Sequence, residues 1–211
     1  IKLFLILNTL MLLKQSIQPA NGFRITMKMH EDNLLKLNLG CGNRAIPGFI
    51  NIDIESFDNT DVALDIRKVD EKFSNKCKLI YSSHVLEHFK KNEIKDLLYS
   101  WNKCLVPGGI LRLAVPDFDA VVQYYKLTKD IDSIQSFLNG GQKSSLDYHF
   151  ITFNFEYLKR ILNEAGFHSV KIYNYQDTEH AYIDDYSQCY LPHMDKTNGM
   201  LMSLNIEAIK C

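Results

Sequence analysis

Residues 36–54 read Lys-Leu-Asn-Leu-Gly-Cys-Gly-Asn-Arg-Ala-Ile-Pro-Gly-Phe-Ile-Asn-Ile-Asp-Ile, and this stretch decides the fold. A short apolar run ends at Gly40-Cys41-Gly42, and a second apolar run carries Asp53 near its far end. The pattern predicts two buried strands joined by a glycine turn. Glycines let a backbone approach a ligand closely, and a carboxylate at a strand end can accept hydrogen bonds from both ribose hydroxyls. The stretch therefore predicts a binding site for a nucleoside.

The rest of the chain alternates strands with helices. Apolar runs predict strands at residues 34–39, 49–54, 62–64, 78–82, 110–115, 168–173 and 204–209. Apolar residues three or four apart predict helices at 93–105 with Asn92 as N-cap, from Asp117 onward, and at 154–166 with Asn154 as N-cap. Strands that alternate with helices imply an α/β fold, a mostly parallel sheet with helices on both faces. We expect one such domain at residues 34–211.

Two stretches do not follow this alternation, residues 131–153 and 176–203. Segments of that length without regular structure are usually functional or disordered. The second stretch contains Tyr182, Tyr186 and Tyr190, and these aromatic residues argue against disorder. We expect the two stretches to determine substrate specificity.

Composition limits the classes of partner and the compartment. The formal net charge is −1 and no stretch concentrates lysine or arginine, so we expect no nucleic-acid partner. The five cysteines include no Cys-x-x-Cys pair, which argues against a zinc site or a disulfide framework. Free thiols indicate a reducing compartment, so we expect a cytoplasmic protein. The sequence carries no signal for its oligomeric state.

Residues 1–33 form a separate N-terminal extension. The apolar run at residues 3–13 is too short to span a bilayer, so we expect no stable membrane span. Its length suits the apolar core of a signal-like segment, whereas Met27 and Met29 would make sensible starts if the extension is upstream read-through. Both interpretations stay open.

The glycine turn could bind a dinucleotide, but two spacings oppose it. Residues 40–45 fit the G-x-G-x-x-G/A pattern, yet Asp53 follows Gly42 by 11 positions where that pattern expects about 20. The six residues 43–48 leave room for one helical turn at most. Since a pyrophosphate needs a helix N-terminus, a nicotinamide-dependent oxidoreductase is disfavoured.

Eight segments in order resemble the class I S-adenosylmethionine-dependent methyltransferases, specifically the small type 11-like group that opens with Leu-Asn-Leu-Gly-Cys-Gly. They are Leu37 to Gly42, Asn51-Ile52-Asp53, Asp65, Ser82-Ser83-His84-Val85-Leu86-Glu87-His88, Val106-Pro107-Gly108-Gly109, Arg112-Leu113-Ala114-Val115-Pro116-Asp117, Glu164-Ala165-Gly166-Phe167 and Ser203-Leu204-Asn205-Ile206-Glu207-Ala208.

The resemblance implies a Rossmann-like, seven-stranded sheet of order 3-2-1-4-5-7-6 with strand 7 antiparallel. Only seven residues, 55–61, join the second and third predicted strands. That spacing alone favours an antiparallel hairpin over a parallel crossover, whereas the family pattern requires the parallel arrangement.

The resemblance also implies S-adenosylmethionine as cofactor. Gly40 and Gly42 would contact its methionine portion, Asp53 its ribose hydroxyls and Asp65 its adenine amine, with Ile66 against the ring. The cofactor-binding residues that we predict are Asn38, Gly40, Cys41, Gly42, Asp53, Ile54, Asp65, Ile66 and Ser83. Glycines at a strand end are also common as simple turns, and an aspartate such as Asp65 also starts turns.

Three residues are candidates for catalysis. His84 follows the fourth strand, where the resemblance implies the transferable methyl group lies, and Asp117 and His149 are candidate bases at the same edge of the sheet. Asp117 can also be a helix N-cap, and His149 lies in an aromatic-rich stretch where it can simply pack. We expect Glu87 to be a surface or capping charge and His88 to have a structural role.

No metal site is expected. His180, His193 and the pair Asp184-Asp185 match no known ligand spacing.

The sequence thus predicts a methyltransferase of EC class 2.1.1.- that acts on a small molecule or, as the family association suggests, a glycan precursor. The alternatives are a catalytically silent module that binds S-adenosylmethionine and, less favoured, the nicotinamide-dependent oxidoreductase. A base is required only if the acceptor must lose a proton. The chemistry itself is an in-line displacement at carbon, for which alignment and exclusion of water matter most.

Overall fold

The computed structural model describes residues 34–211. The predictions for residues 1–33, an upstream extension or a signal-like segment, lie outside the described residues. Within residues 34–211, no helix combines the length and the apolar character that crossing a membrane requires.

Seven strands form one sheet at the centre of the fold. The strands of the chain are β1 Leu35–Leu39, β2 Ile50–Asp53, β3 Val62–Ala63, β4 Cys77–Ser83, β5 Leu105–Pro116, β6 Phe167–Ile172, β7 Tyr190–Leu191, β8 Met200–Leu201 and β9 Ser203–Lys210. The sheet order is β3-β2-β1-β4-β5-β9-β6, and β7 and β8 pair separately as a hairpin. Within the seven-stranded sheet, β9 is antiparallel to both of its neighbours, while the other pairs are parallel. The predicted fold class and strand order are confirmed, with β9 as the seventh strand.

β2 and β3 are parallel, although the short connection alone favours a hairpin. The connection folds back beside the start of β2, where the Asp61 carboxylate accepts hydrogen bonds from the backbone N and Nδ2 of Asn51 at 2.8 and 2.9 Å. The Asp61 backbone N donates to the Asn51 carbonyl oxygen at 2.9 Å. Because β3 has only two residues, this short return is long enough for a parallel pair.

Five α-helices accompany the sheet in the described chain. They are α1 Val69–Phe73, α2 Ile94–Cys104, α3 Phe118–Thr128, α4 Gln135–Asn139 and α5 Phe155–Glu164. The predicted caps Asp117 and Asn154 accept hydrogen bonds from the backbone N of Asp119 and Tyr157. The N-cap residue of α2 is Glu93, and its side chain makes no capping hydrogen bond. The prediction of Asn92 as the N-cap is therefore wrong. α1 was not predicted, since its five residues are too few to show a helical period.

The two faces of the sheet are covered differently. Ile80 and Leu113 belong to the main core, to which α1, α2 and α5 contribute Val69, Trp101 and Leu158. Side chains alternate along a strand, so Leu79 and Tyr81 point to the other face. There they pack with Ile46, Phe49 and Ile183, which all lie in irregular chain. Part of the 176–203 stretch is therefore built onto the sheet, next to the carboxyl ends of β1 and β4.

Candidate active site

The glycine turn after β1 has the close packing that its sequence predicts. Gly40 has a φ of +69°, and a Cβ built on it would overlap Cγ2 of Val85. The backbone N atoms of Gly40 and Cys41 both donate to the Ile52 carbonyl oxygen, at 2.8 and 3.1 Å. Gly42 also has a positive φ of +48°, but a Cβ there would meet open space. The turn is thus clamped against β2 and Val85, and it is open on its outer side.

Asp53, at the end of β2, is held in place by backbone donors. Its Oδ2 accepts from the Gly42 N at 2.8 Å, and its Oδ1 accepts from the Glu55 N at 3.0 Å. The carboxylate is half-buried. Each carboxylate oxygen keeps acceptor capacity after these bonds, so the predicted hydrogen bonds to a ribose remain chemically available.

Asn38 supports the loop between β1 and β2. It is buried, and its Nδ2 donates to Asn51 Oδ1 and to the Arg44 carbonyl oxygen, both at 3.0 Å. Asn51 Oδ1 in turn accepts from the Ile46 N at 2.8 Å. These amides satisfy the backbone of a loop that contains no helix. The prediction of at most one helical turn after Gly42 is therefore confirmed.

A pocket of about 120 Å³ opens beside this turn. It is lined by Asn38, Gly40, Cys41, Gly42, Asn43, Arg44, Ser83, His84, Asp185 and Tyr186. Ser83 Oγ is buried and has no hydrogen-bond partner within the described chain. Buried hydroxyls are normally satisfied, so an orphan hydroxyl in a pocket indicates a ligand that would complete it.

Cys41 contributes apolar surface to this pocket and not a reactive thiol. Its side chain is buried, with Sγ 4.0 Å from Thr60 Oγ1. Burial is the main cause that raises the pKa of its thiol above the ordinary value. The thiol therefore stays protonated and is a poor nucleophile at neutral pH.

Four predicted cofactor residues lie away from the pocket lining, namely Asp53, which is bonded to Gly42 of the lining, and Asp65, Ile66 and Ile54. Asp65 caps a short 3₁₀ turn, and its carboxylate is bound by Arg67 through bonds of 2.7 to 3.0 Å that hold the pKa of Asp65 below its usual range. Ile66 packs in the main core with 7% of its surface exposed, and its carbonyl oxygen accepts from Trp101 Nε1. Ile54 is 54% exposed. Asp65 thus has the turn-forming role that was the alternative for it, and Ile66 offers little surface to an adenine ring.

His84 lines the pocket and is held on two sides. Its φ is +52°, its backbone N donates to the Ala114 carbonyl oxygen at 2.8 Å, and its Nε2 lies 2.7 Å from Ser203 Oγ. The Ser203 hydroxyl donates its single hydrogen to the Tyr186 carbonyl oxygen. The His84 Nε2 must therefore carry a proton and donate it to Ser203 Oγ. Burial, with smaller contributions from His149 and His88, lowers the pKa of His84 to about 3, so the ring is neutral with a lone pair on Nδ1.

Glu87 is fully buried, so its prediction as a surface or capping charge is wrong. Neither of its carboxylate oxygens has a hydrogen-bond partner among residues 34–211. Oε1 lies 3.4 Å from His84 Nδ1 and 4.0 Å from His149 Nε2. Burial raises the pKa of Glu87 to about 8. The sequence shows its place in a motif with His84 and His88, but it does not show that Glu87 is buried beside His149, which lies about sixty positions further along the chain.

The other two candidate bases lie outside the pocket. Asp117 caps α3, and burial raises the pKa of its carboxyl. This is the capping role that was the alternative for it. His149 lies beside His88 and Glu87, with a ring-centroid distance of 4.8 Å to His88. The structure thus brings His149 to the back of His84, and it leaves Asp117 at a separate helix end.

Asp185 and Tyr186 form the pocket wall opposite the glycine turn, and no motif indicated them. Tyr81 Oη donates to Asp185 Oδ2 at 2.5 Å, and Asp185 Oδ1 accepts from the Ser187 N at 2.9 Å. The Tyr186 ring lies 5.4 Å from that of His84, centroid to centroid. The 176–203 stretch therefore forms one wall of the pocket and leaves its interior open.

The comparisons with known proteins agree with the fold. The methyltransferase-domain family matches residues 28–172. No functionally curated protein matches the chain. A SAM-dependent methyltransferase from Archaeoglobus fulgidus superposes with a TM-score of 0.52 at 18% identity, over 84% of this chain and 86% of that one.

Two further solved structures share the fold. A 1,6-didemethyltoxoflavin-N1-methyltransferase from Burkholderia thailandensis gives a TM-score of 0.54 at 14% identity, over 83% of this chain and 70% of that one. A SAM-dependent methyltransferase from Thermotoga maritima gives 0.53 at 14% identity, over 84% and 82%.

The sheet and the glycine turn define a class I, Rossmann-like nucleoside-binding fold. The chain belongs to the methyltransferase-domain family, whose match covers more than half of its length. The predictions of a methyltransferase and of S-adenosylmethionine as its cofactor are confirmed at the level of the family.

Proposed function

We propose that the pocket beside Gly40 and Gly42 binds S-adenosylmethionine and that the chain methylates a small-molecule acceptor there. The observation that carries the proposal is a pocket lined by the open glycine turn and the orphan Ser83 hydroxyl, with Asp53 anchored to Gly42 of that turn. The cofactor has no phosphate. A turn without a following helix therefore suits it, whereas a dinucleotide would lack a helix N-terminus for its pyrophosphate.

Each part of the site fits one chemical group of this cofactor. The Gly42 face is open, so backbone can contact the amino-acid tail without a side chain in the way. Asp53 presents a carboxylate, held by Gly42 and Glu55, to the two ribose hydroxyls. Ser83 Oγ offers a hydroxyl that needs a partner. Asp65 and Ile66 are proposed to contribute only through the edge of the site, because Arg67 and the core already engage them.

The bound cofactor supplies the methyl group and a sulfonium leaving group. The residues of the chain then have to orient the acceptor and keep water out. Tyr186 and Asp185 close the side of the pocket that faces away from the glycine turn. His84 is fixed by its bonds to Ser203 Oγ and to the Ala114 carbonyl oxygen, so its proposed role is to shape the pocket and not to donate or accept freely at Nε2. Because Asp117 caps α3 away from the pocket, the proposal assigns it no part in removing a proton from the acceptor.

A small molecule or a glycan precursor is the proposed acceptor class. The net charge of −1 gives no electrostatic support to a nucleic-acid backbone. The five cysteines are free, and three of them are buried, which supports a reducing compartment such as the cytoplasm as the proposed location.

Calorimetry with S-adenosylmethionine and S-adenosylhomocysteine tests the cofactor assignment. Asp53→Ala should weaken binding by at least about 100-fold, because a ribose held by a charged acceptor loses about 1.5–3 kcal/mol per bond. Asp58→Ala is the matched control, because Asp58 is exposed in the connection between β2 and β3. This variant should bind the cofactor as wild type does. Wild-type protein that binds neither compound would refute the proposal, and a parallel fluorescence titration with NADH would test the oxidoreductase.

A panel of hydroxyl- and amine-bearing small molecules and sugar derivatives, assayed with radiolabelled cofactor, tests the acceptor class. Methyl transfer to one of them supports the enzyme. Tight cofactor binding without transfer to any acceptor would instead favour the catalytically silent module.

A further inference from the structure

Three metal-ligating groups converge behind the pocket, in a cluster formed by Glu87, His88 and His149. One ligand atom from each lies within 4.8 Å of the others. Glu87 and His88 come from the short turn Leu86–His88 after β4. His149 comes from a segment about sixty positions further along the chain. The Phe150 backbone N donates to the Glu87 carbonyl oxygen at 2.8 Å and joins the two segments directly.

Both histidines have a fixed tautomer that leaves Nε2 with a lone pair. His88 Nδ1 lies 3.1 Å from the Tyr148 carbonyl oxygen, and His149 Nδ1 lies 3.0 Å from that of Phe137. A carbonyl can only accept, so each Nδ1 carries the ring proton in the neutral form. Histidines that bind metals usually donate their other ring N–H to a carbonyl or carboxylate in this way, which orients the ring and sets the tautomer.

Glu87 supplies the second, independent observation. Its side chain is 1% exposed and both oxygens are without a hydrogen-bond partner in the described part of the chain. Burial of a carboxyl group without partners is costly, and such groups are normally paired or coordinate a metal. The cluster thus combines two nitrogen lone pairs and one carboxylate whose bonding is incomplete.

We propose that Glu87, His88 and His149 bind one divalent transition-metal ion, with Zn²⁺ as the expected ion. Two imidazoles and one carboxylate suit zinc and its neighbours, whereas Mg²⁺ and Ca²⁺ prefer sites made of oxygen atoms. Ligand atoms in a tetrahedral zinc site lie about 3.4 Å apart, given bonds of about 2.1 Å. The present separations of up to 4.8 Å therefore have to contract by up to about 1.4 Å on binding.

The position of the cluster suggests what the ion does. Three protein ligands leave a fourth position for water or substrate, as in catalytic zinc sites. His84 connects the two places, because it lines the pocket and its Nδ1 lies 3.4 Å from Glu87 Oε1. An ion held here would fix the 147–150 segment against the turn after β4, next to His84 of the pocket lining. An influence on methyl transfer rests on the proposed function, whereas the binding of the ion does not.

Metal uptake by the full chain tests the site. The protein is stripped with EDTA, titrated with Zn²⁺ by calorimetry and loaded with Co²⁺ for absorption spectroscopy. All variants carry Cys211→Ser, because Cys211 Sγ lies 3.1 Å from His168 Nδ1 and that exposed pair could bind zinc itself. We expect one ion per chain, and intense visible bands from Co²⁺ in a site of low coordination number.

Glu87→Gln should weaken zinc binding by at least about 100-fold, because loss of even an outer ligand partner costs 10–100-fold. His149→Gln should do the same and serves if Glu87→Gln does not fold. His193→Ala is the control, since His193 is exposed in the hairpin loop. Equal zinc affinity in wild type, Glu87→Gln and His149→Gln, or no uptake at all, would overturn the inference.

Cofactor calorimetry on the same samples separates this inference from the proposed function. Zinc uptake without S-adenosylmethionine binding would support the metal site and count against the cofactor pocket. Binding of S-adenosylmethionine without zinc uptake would support the cofactor pocket and overturn the metal site.

Discussion

The two walls of the pocket are built in different ways. The glycine turn and Asp53 come from neighbouring parts of the chain, and the bond from Gly42 to Asp53 spans 11 positions. The opposite wall depends on the bond from Tyr81 to Asp185, which spans 104 positions. The first wall, which we call the local wall, is held by backbone geometry that a short motif encodes, and we call the opposite wall the distant wall. The second is held by side chains that meet only after the sheet has formed, so substitutions should affect the two walls differently.

The largest effect is expected at the centre of the local wall, from Gly40→Ala. The new Cβ would overlap Val85, and the residue would also have to keep a positive φ. Overpacking and left-handed strain together should lower the free energy of unfolding by about 3 kcal/mol. Urea denaturation measures the change. Gly48→Ala is the control, because Gly48 has a φ of +81° with open space around it and should lose only about 1 kcal/mol.

Tyr81→Phe, in the distant wall, should lower the free energy of unfolding by less than Gly40→Ala does. This variant keeps the ring and removes the hydroxyl that donates to buried Asp185, so we expect a loss of about 1–3 kcal/mol from the unmet carboxylate oxygen. The wall should also become mobile, with faster hydrogen exchange in residues 180–188. Tyr99→Phe, at a side chain that is 54% exposed, should leave both measurements unchanged. Identical exchange in the Tyr81 variant would show that the wall does not depend on this bond.

Gly42→Ala separates binding from folding within the local wall. Like Gly48, Gly42 has a positive φ and open space, so both alanine variants should lose about 1 kcal/mol of stability. Only the Gly42 Cβ would enter the cofactor pocket, and it should weaken S-adenosylmethionine binding by about 10-fold or more by calorimetry. Equal cofactor affinity in the two variants would remove Gly42 from the proposed site.

The smallest effect is expected from Arg67→Ala, beside Asp65. The Arg67 guanidinium holds the pKa of Asp65 below its unfolded value of about 3.9, so the pair stabilises the fold above that pH. Arg67 is 51% exposed, which limits the contribution to about 0.5 kcal/mol at pH 7. The difference from wild type should shrink as the pH falls from about 4 through the lowered pKa. A difference that stays constant down to pH 2 would show that packing, not charge, is responsible.

The local wall was predictable because its geometry follows from residue types at short spacing. Gly40, Gly42 and Asp53 were identified from two apolar runs and a turn, and the absence of a helix after Gly42 followed from six intervening residues. Asn38 was assigned to the cofactor, but its buried amide is bonded to Asn51 and Arg44. A sequence shows that an amide is near a turn, but it does not show to which side the amide points.

The distant wall and the metal-ligating cluster were not predictable from local pattern. Glu87 has the residue type of a surface charge, yet it is buried, and the Phe150 backbone N from a distant segment donates to its carbonyl oxygen. Asp185 and Tyr186 belong to no motif, and their position is set by Tyr81 and Ser203 on two different strands. The parallel pairing of β2 and β3 was likewise opposed by the connection length, and the Asp61 bonds to Asn51 made it possible.

The place of β9 in the sheet has a consequence for how the protein is made. β6 joins the sheet only through β9, and β9 follows it in the chain by thirty residues. During synthesis, β6 and the outer edge of β5 must therefore wait without partners until β9 has left the ribosome. Pairings between distant strands form slowly, and unpaired strand edges promote aggregation. Ser203, which fixes His84, begins β9. A nascent chain that still lacks β9 therefore also lacks the contacts that hold His84 and Tyr186 in the pocket.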